Sequence, residues 1–401
     1  MRRTDDDVDE LPLLRAIAHS QLSHRVFGVE REYQVHREGA PVDARALWPT
    51  LQGLGTRLDP GDARARRGAW GGILTADGWE AEVATPPLSL TSSSTHEVLG
   101  YAAAGERHLR RCLPADHLLR GYSTHISVEV DDRLVTDVAR LIADRMAVAL
   151  MLALDRPTSP GLLVRPRYQR LEIGGEFAAG TQLRAAVSLA VAVTLLAERA
   201  VRDRSVRHRL PPRLSARAIP ARERFGWYVD RHAYGPDLYA EGRRAVLHRR
   251  RSSIVAGDLL EATWSEARPY GQTVLTTEEI ELVDRFVDGS NPMPLDDPID
   301  DDGAAHPVRS DRSYAPRSLD GICVTISAAT WWRAILEVRS TERVRWLTVP
   351  GRALDAILDG LDGGELWAEF ETLVGGNNGR CGMAGRPPNL LHRPMCKAME
   401  P

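Results

Sequence analysis

Within the run RVFGVEREYQVH, residues 25–36, two glutamates stand two positions apart among residues that favour extended structure. Val26, Val29, Tyr33 and Val35 mark the run as a strand, and on a strand Glu30 and Glu32 leave the same face. Two bare carboxylates side by side repel each other, so they must be kept apart, solvated or held by a cation. Their Cα atoms lie about 7 Å apart by strand rise. At that spacing each can hold one of two magnesium ions on a triphosphate; the plain alternative is a solvated strand face bearing two charges. The fold must therefore give this strand one apolar face and one wet or metal-bearing face.

Three further segments place chemistry on strands. GWEAEVATPP repeats the pattern with Glu80 and Glu82, has Asp77 in the preceding turn, and ends at Pro86–Pro87. GYSTHISVEV, Gly121 to Val130, sets His125 between Ser123 and Ser127 on one face, with Glu129 beyond. A strand histidine is commonly structural, and this one is also a candidate for phosphate or metal. RPRYQRLEIGGEF gathers Arg165, Arg167, Arg170, Glu172 and Glu176. Leu171 and Ile173 alternate with Glu172, so Glu172 points away from the apolar side. Arginine binds phosphate and carboxylate bidentately, and a basic surface loop is the alternative.

Arginine has to carry that role because Lys397 is the only lysine in 401 residues. The balance fits codon bias in a GC-rich genome, yet it excludes a Schiff-base lysine, a P-loop lysine and a kinase-type strand lysine from the body of the chain. A net charge of −3 gives no sign of nucleic acid as a main partner. Four scattered cysteines fit a reducing compartment and form no zinc or disulfide pattern. MRRTDDDVDE lacks the apolar core of a signal peptide, and the longest apolar stretch, Ala185 to Ala197, is short of the roughly 20 residues of a membrane span. The expectation is a cytoplasmic protein with no membrane partner; a homo-oligomer is left open.

Along the chain, LPLLRAIAHS, Thr95 to Leu113, Val135 to Leu154, Leu183 to Arg202, Arg222 to Arg250, Thr276 to Val287 and Leu354 to Leu373 read as helices. GGILTADGWEAEVATPP reads as two strands about the turn Ala76–Gly78, and ATWWRAILEVRSTERVRWLTVP as strand structure. Residues 1–24 read as an N-terminal extension and 25–374 as one catalytic domain. Within it, 288–318, rich in Asp, Pro and Gly, reads as a mobile acidic lid, and 375–401 as a Gly/Pro-rich tail. Short strands mixed with long helices, without a regular βαβ rhythm, indicate an α+β fold.

The order GVEREY, AEVATPP, GYSTHISV, RLEIGGEFAAGTQLRAAVSLAVAV resembles the glutamate–cysteine ligase type 2 family and neighbouring carboxylate–amine ligases, across about residues 25–250. YVDRHAYGPDL is partly similar to a further stretch of the small carboxylate–amine ligases. The resemblance implies a glutamine synthetase-like fold, a curved antiparallel sheet forming an active-site funnel with helices on its outer face. It implies ATP with Mg²⁺ or Mn²⁺, and small carboxylate and amine substrates joined through an acyl phosphate. By the same resemblance Glu32 and Glu82 hold one metal; Glu30, His125 and Glu172 hold the second, or the phosphate it carries. Arg165, Arg167 and Arg170 then neutralise phosphate or substrate carboxylate, with His125 and Ser127 on the nucleotide and Arg170 and Glu172 in catalysis.

Two departures stand out. Gly174 occupies a position where the family often has Arg, and the family's extra Glu before the second strand is missing, with Asp77 nearest. ILEVRSTERVRW, Ile335 to Trp346, competes for the Leu-Glu-x-Arg assignment and makes Arg339 a further candidate for the substrate carboxylate. The same motifs resemble Pup ligase and deamidase enzymes, which share the fold and act on a protein tail. A non-catalytic binding protein on a decayed scaffold is the third reading, motivated by Gly174 and the missing Glu.

Overall fold

The computed structural model describes residues 11–22, 24–91, 94–154, 161–213, 219–220, 226–248, 252–290, 308 and 311–375. Most of the 288–318 segment, the first ten residues, Arg222 to Phe225 and residues 376–401 lie outside them.

The valine- and aromatic-rich runs pair into an 11-stranded antiparallel sheet. In chain order its strands are β1 (Val26–Arg37), β2 (Ala40–Val42), β3 (Arg66–Arg67), β4 (Ile73–Asp77), β5 (Glu80–Ala84), β6 (Leu88–Ser89), β7 (His117–Glu129), β8 (Gly161–Arg167), β9 (Arg170–Glu176), β10 (Ile219–Pro220) and β11 (Trp227–Asp230). The spatial order is β10-β11-β8-β9-β7-β1-β5-β4-β3, with β2 and β6 also on β1. A two-stranded ribbon, β12 (Val246–His248) with β13 (Ser253–Val255), follows. A separate four-stranded sheet comes later in the chain: β14 (Arg317–Leu319), β15 (Ile322–Ala329), β16 (Arg333–Arg339) and β17 (Val344–Pro350).

One face of the large sheet is apolar and covered. Val29, Ile126, Val128, Leu171, Ile173 and Val164 are buried against a helical layer that includes Val135–Arg145 and Gly180–Arg202. The second of these has the length and composition of a membrane span, but 78% of its most apolar window is buried inside the protein, so here it is the core helix. Arg31 and Tyr33 share that covered face. The Arg31 guanidinium lies 4.4 Å from the Phe177 ring centroid and 3.3 Å from Glu106, while Tyr33 donates to Glu106 at 2.9 Å. A buried cation is thus tied to the helix Ser94–Cys112.

Helix ends follow their local chemistry. Thr276 and Glu279 form a reciprocal capping box before Thr277–Asp288, and Gly289 ends that helix in the left-handed region. Arg222 to Arg250 is not the helix its sequence suggests. Its described part contains β11, a short helix at Leu238–Glu241 and β12, because Asp230 and Asp237 bind nearby backbone N–H groups and Gly235 and Gly242 take positive φ. The stretch 135–154 breaks at Met146, which has φ −121° and ψ −2°. Leu354 to Leu373 divides at Gly363–Gly364 into Leu354–Asp362 and Trp367–Gly375.

The four-stranded sheet has its own core, in which Leu336, Val338 and Leu347 meet Leu354, Leu358 and Phe370. The helix Pro12–Leu22 joins this core through Leu11 and Leu14. Its first N–H groups, on Leu13 and Leu14, donate to the Glu369 carboxylate at 2.5 and 3.0 Å.

Candidate active site

The uncovered face of the large sheet carries the candidate residues in three rows fixed by register. Gly28, Ser127, Glu172 and Arg165 stand side by side across β1, β7, β9 and β8. The next row is Ala84, Glu30, His125, Gly174 and Leu163. The third is Thr75, Glu82, Glu32, Ser123 and Glu176, just before an irregularity in the β1–β7 pairing after Glu32. The two-residue side-chain period places every other residue of each strand on this face.

Two groups form. In one, ligand atoms of Glu30, His125 and Glu172 lie within 4.8 Å of one another; in the other, those of Glu32, Asp77 and Glu82 do. Their electrostatic settings differ. Glu172 is buried and both its oxygens are engaged, one by Arg165 and the other by Arg167 Nε at 2.9 Å. Arg170 reaches Glu30 at 3.7 Å and Glu172 at 4.0 Å. Burial would raise the Glu172 pKa, but His125 and the three arginines outweigh it and hold the group at about 2. For His125 burial opposes charge, and Glu30, Glu172 and Glu32 outweigh that, so its pKa is raised. Its Nδ1 lies 3.4 Å from Glu172 and 3.8 Å from Glu30. When protonated, the ring can donate toward Glu172, whose same oxygen is also met by Arg165; the Arg165 Nη2 lies 3.5 Å from the ring Nδ1.

The other group is bare. Among the described residues no Arg or His comes within salt-bridge reach of Glu32, Asp77 or Glu82, and the Ser123 hydroxyl donates to Glu32. Glu82 is pushed well above the usual carboxylate range by burial, then by Glu30, Glu32, Asp77 and Glu172. Three close oxygen donors that resist joint ionisation fit a hard divalent cation. The Glu30–His125–Glu172 set fits one less well, since Glu172 is already neutralised by arginine.

Gly174 has a steric reason. A Cβ there would stand 2.9 Å from His125 Cδ2 and 3.1 Å from Nε2, so the imidazole occupies the space that a side chain at 174 would need. Gly28 is required in the same way, since its Cβ would lie 2.4 Å from Trp331 Cη2. Trp331, in the turn between β15 and β16, also lies over the Arg170 guanidinium, 5.4 Å from the ring centroid. Sequence reasoning missed it; the WW pair in ATWWRAI was the available signal. The buried Ser127 hydroxyl and the Trp331 indole N–H lack hydrogen-bond partners among the described residues.

Arg339 is not brought into this constellation. It lies on β16 of the other sheet, exposed and paired with Glu337 at 2.5 Å. Six steps of strand separate it from the Arg333 end that adjoins Trp331, about 20 Å by strand rise.

No family model and no curated protein matches this sequence. Among solved structures, a chain of the complex between the prokaryotic ubiquitin-like protein Pup and its ligase PafA is similar at 12% identity, covering 92% of this chain and 100% of that one with a TM-score of 0.45. A bifunctional glutathione synthetase from Pasteurella multocida is similar at 8% identity, covering 84% of this chain and 62% of that one with a TM-score of 0.30. Neither overlap is close enough to bring a residue's role across.

Proposed function

We propose that this chain is an ATP-dependent carboxylate–amine ligase acting on a small acid, glutamate being the acid that the sequence resemblance implies. The observation that carries the reading is the polarity of one sheet face: bare carboxylates on β1, β4 and β5, and arginines on β8 and β9, within one continuous register. Chemistry that moves a phosphoryl group needs both, with a cation site for the triphosphate and fixed positive charge where phosphate and carboxylate meet.

Glu32, Asp77 and Glu82 would hold Mg²⁺ or Mn²⁺, with Glu30, His125 and Glu172 as the second, weaker candidate set. A bound cation supplies charge neutralisation on the triphosphate oxygens. Arg165, Arg167 and Arg170 orient and neutralise the anions brought together at the other end. A carboxylate oxygen attacks the γ-phosphorus and the bond to ADP breaks, leaving an acyl phosphate. An amine nitrogen then attacks the acyl carbon, releasing inorganic phosphate and a proton. None of this needs a lysine or a covalent enzyme nucleophile.

Phosphate release should be measured over a panel of acid–amine pairs, with mass spectrometry of the products. The reading requires stimulation that depends on both an acid and an amine, a product heavier by the amide condensation, and loss of Mg-ATP binding in Glu32→Ala by calorimetry. Mg-ATP binding without turnover on any small pair would shift the substrate to a protein carboxylate. Absence of Mg-ATP binding would leave a non-catalytic scaffold.

A further inference from the structure

The helix Val135–Arg145 lies on the covered side of the large sheet, so the sheet stands between its outer surface and the Glu30–Glu82 face. Where this helix meets the end of Gly180–Arg202 and the short helix Arg204–Arg209 there is a cavity of about 370 Å³. Arg140, Arg145, Arg207 and Arg213 line it, against Asp137 and Asp144. The geometry points to a second binding site here, for a phosphate or diphosphate group, free or carried by a small molecule.

The ion pairing of the lining supports this. Asp144 is taken up by Arg213 at 2.5 Å. Among the described residues Arg140, Arg145 and Arg207 have no carboxylate within 4 Å. Arg145 is half-buried and donates to the carbonyls of Arg207 and Pro211, both at a long 3.5 Å. Burial, then the charges of Arg207 and Arg213, make its protonated form less favourable than usual. Three guanidinium groups sharing one concavity repel each other, and an anion among them turns that repulsion into attraction. The planar fork of each matches phosphate oxygens in pairs. Leu141 and Val201 are its apolar lining, too little for an apolar ligand. Asp137, exposed at the start of the helix, is the one lining carboxylate without an arginine and would favour a phosphate held toward Arg145 and Arg207.

Pyrophosphate, inorganic phosphate and AMP should each be titrated calorimetrically, without magnesium, into the full chain. The comparison is with Arg145→Ser/Arg207→Ser and, as a control on the other face, Arg165→Ser. The expected result is a pyrophosphate binding event that survives Arg165→Ser and weakens about tenfold or more in the double variant, with no loss of thermal midpoint in the absence of anion. Arg140→Ser, exposed on its helix, must weaken the same event and serves if the double variant folds poorly. Equal pyrophosphate binding by wild type and these variants, or binding lost entirely with Arg165→Ser, overturns the proposal. AMP binding with the same sensitivity assigns the phosphate to a nucleotide, whereas binding of only free phosphate and pyrophosphate assigns it to the inorganic anions.

Discussion

Glycines at 28 and 174 leave room for Trp331 and His125, so two positions without side chains decide where two rings sit. The ring at 125 then draws Glu30 and Glu172 toward one point, leaving Glu32, Asp77 and Glu82 to share another with no Arg or His of the described residues in salt-bridge reach. A pH dependence follows from Glu82. Its folded pKa is raised above the ordinary 4.5, so between those values the folded state holds a proton that the unfolded chain has lost. Stability of the metal-free protein should therefore fall as pH rises above 4.5 through the raised value, and magnesium should bind more tightly over the same window as that proton leaves. Thermal unfolding from about pH 5 to 8, with and without magnesium, checks both. Glu82→Gln should flatten the metal-free profile and weaken magnesium binding; an unchanged profile would dissociate Glu82 from both effects.

Strands β1, β5, β7 and β9 were legible because each carries a two-residue alternation with its charges on one side, and register does the rest. Two features were not. Arg31 lies in the same GVEREY run as the glutamates, yet its parity sends it into the core, where its partner Glu106 comes from a helix 75 positions away, a pairing that no local pattern announces. The run from Arg222 reads as a very basic helix, but Asp side chains and glycines convert its described part into turns and strands. Arg31 also yields an energetic test. Glu106→Ala leaves a buried guanidinium without its counter-charge and should cost about 3–5 kcal/mol, read as a lower urea midpoint at unchanged slope. Arg110→Ala removes an exposed partner of the same carboxylate and should cost under about 1 kcal/mol. Equal losses would mean that the buried cation is not what Glu106 holds.

At the scale of the molecule, the separate sheets meet at the candidate site through one turn, with Trp331 reaching from β15–β16 onto Gly28 and Arg170. Tryptophan at 331 is thus placed to steady an arginine proposed to hold the acid. Trp331→Ala should lower kcat/KM by about 0.5–2 kcal/mol of cation–π support, chiefly through KM for the acid, and Trp331→Phe should recover most of it. Alanine and phenylalanine variants that behave alike would assign the tryptophan to packing only. Sequence reading had no route to this contact, because it depends on how the later sheet docks rather than on any spacing within it.

Glu369 binds the backbone of Leu13 and Leu14 across 356 and 355 positions of chain. Within the described chain the helix Pro12–Leu22 comes first, and the carboxylate that holds its first turn sits on the last helix. Most of the residues that cover its apolar side, Leu336, Leu354 and Phe370 among them, follow the large sheet in the chain, so translation makes them after it. The large sheet can assemble as its strands emerge, but the smaller unit can close only after Phe370 is made, which leaves the helix Pro12–Leu22 open to chaperones and to mispairing in the meantime.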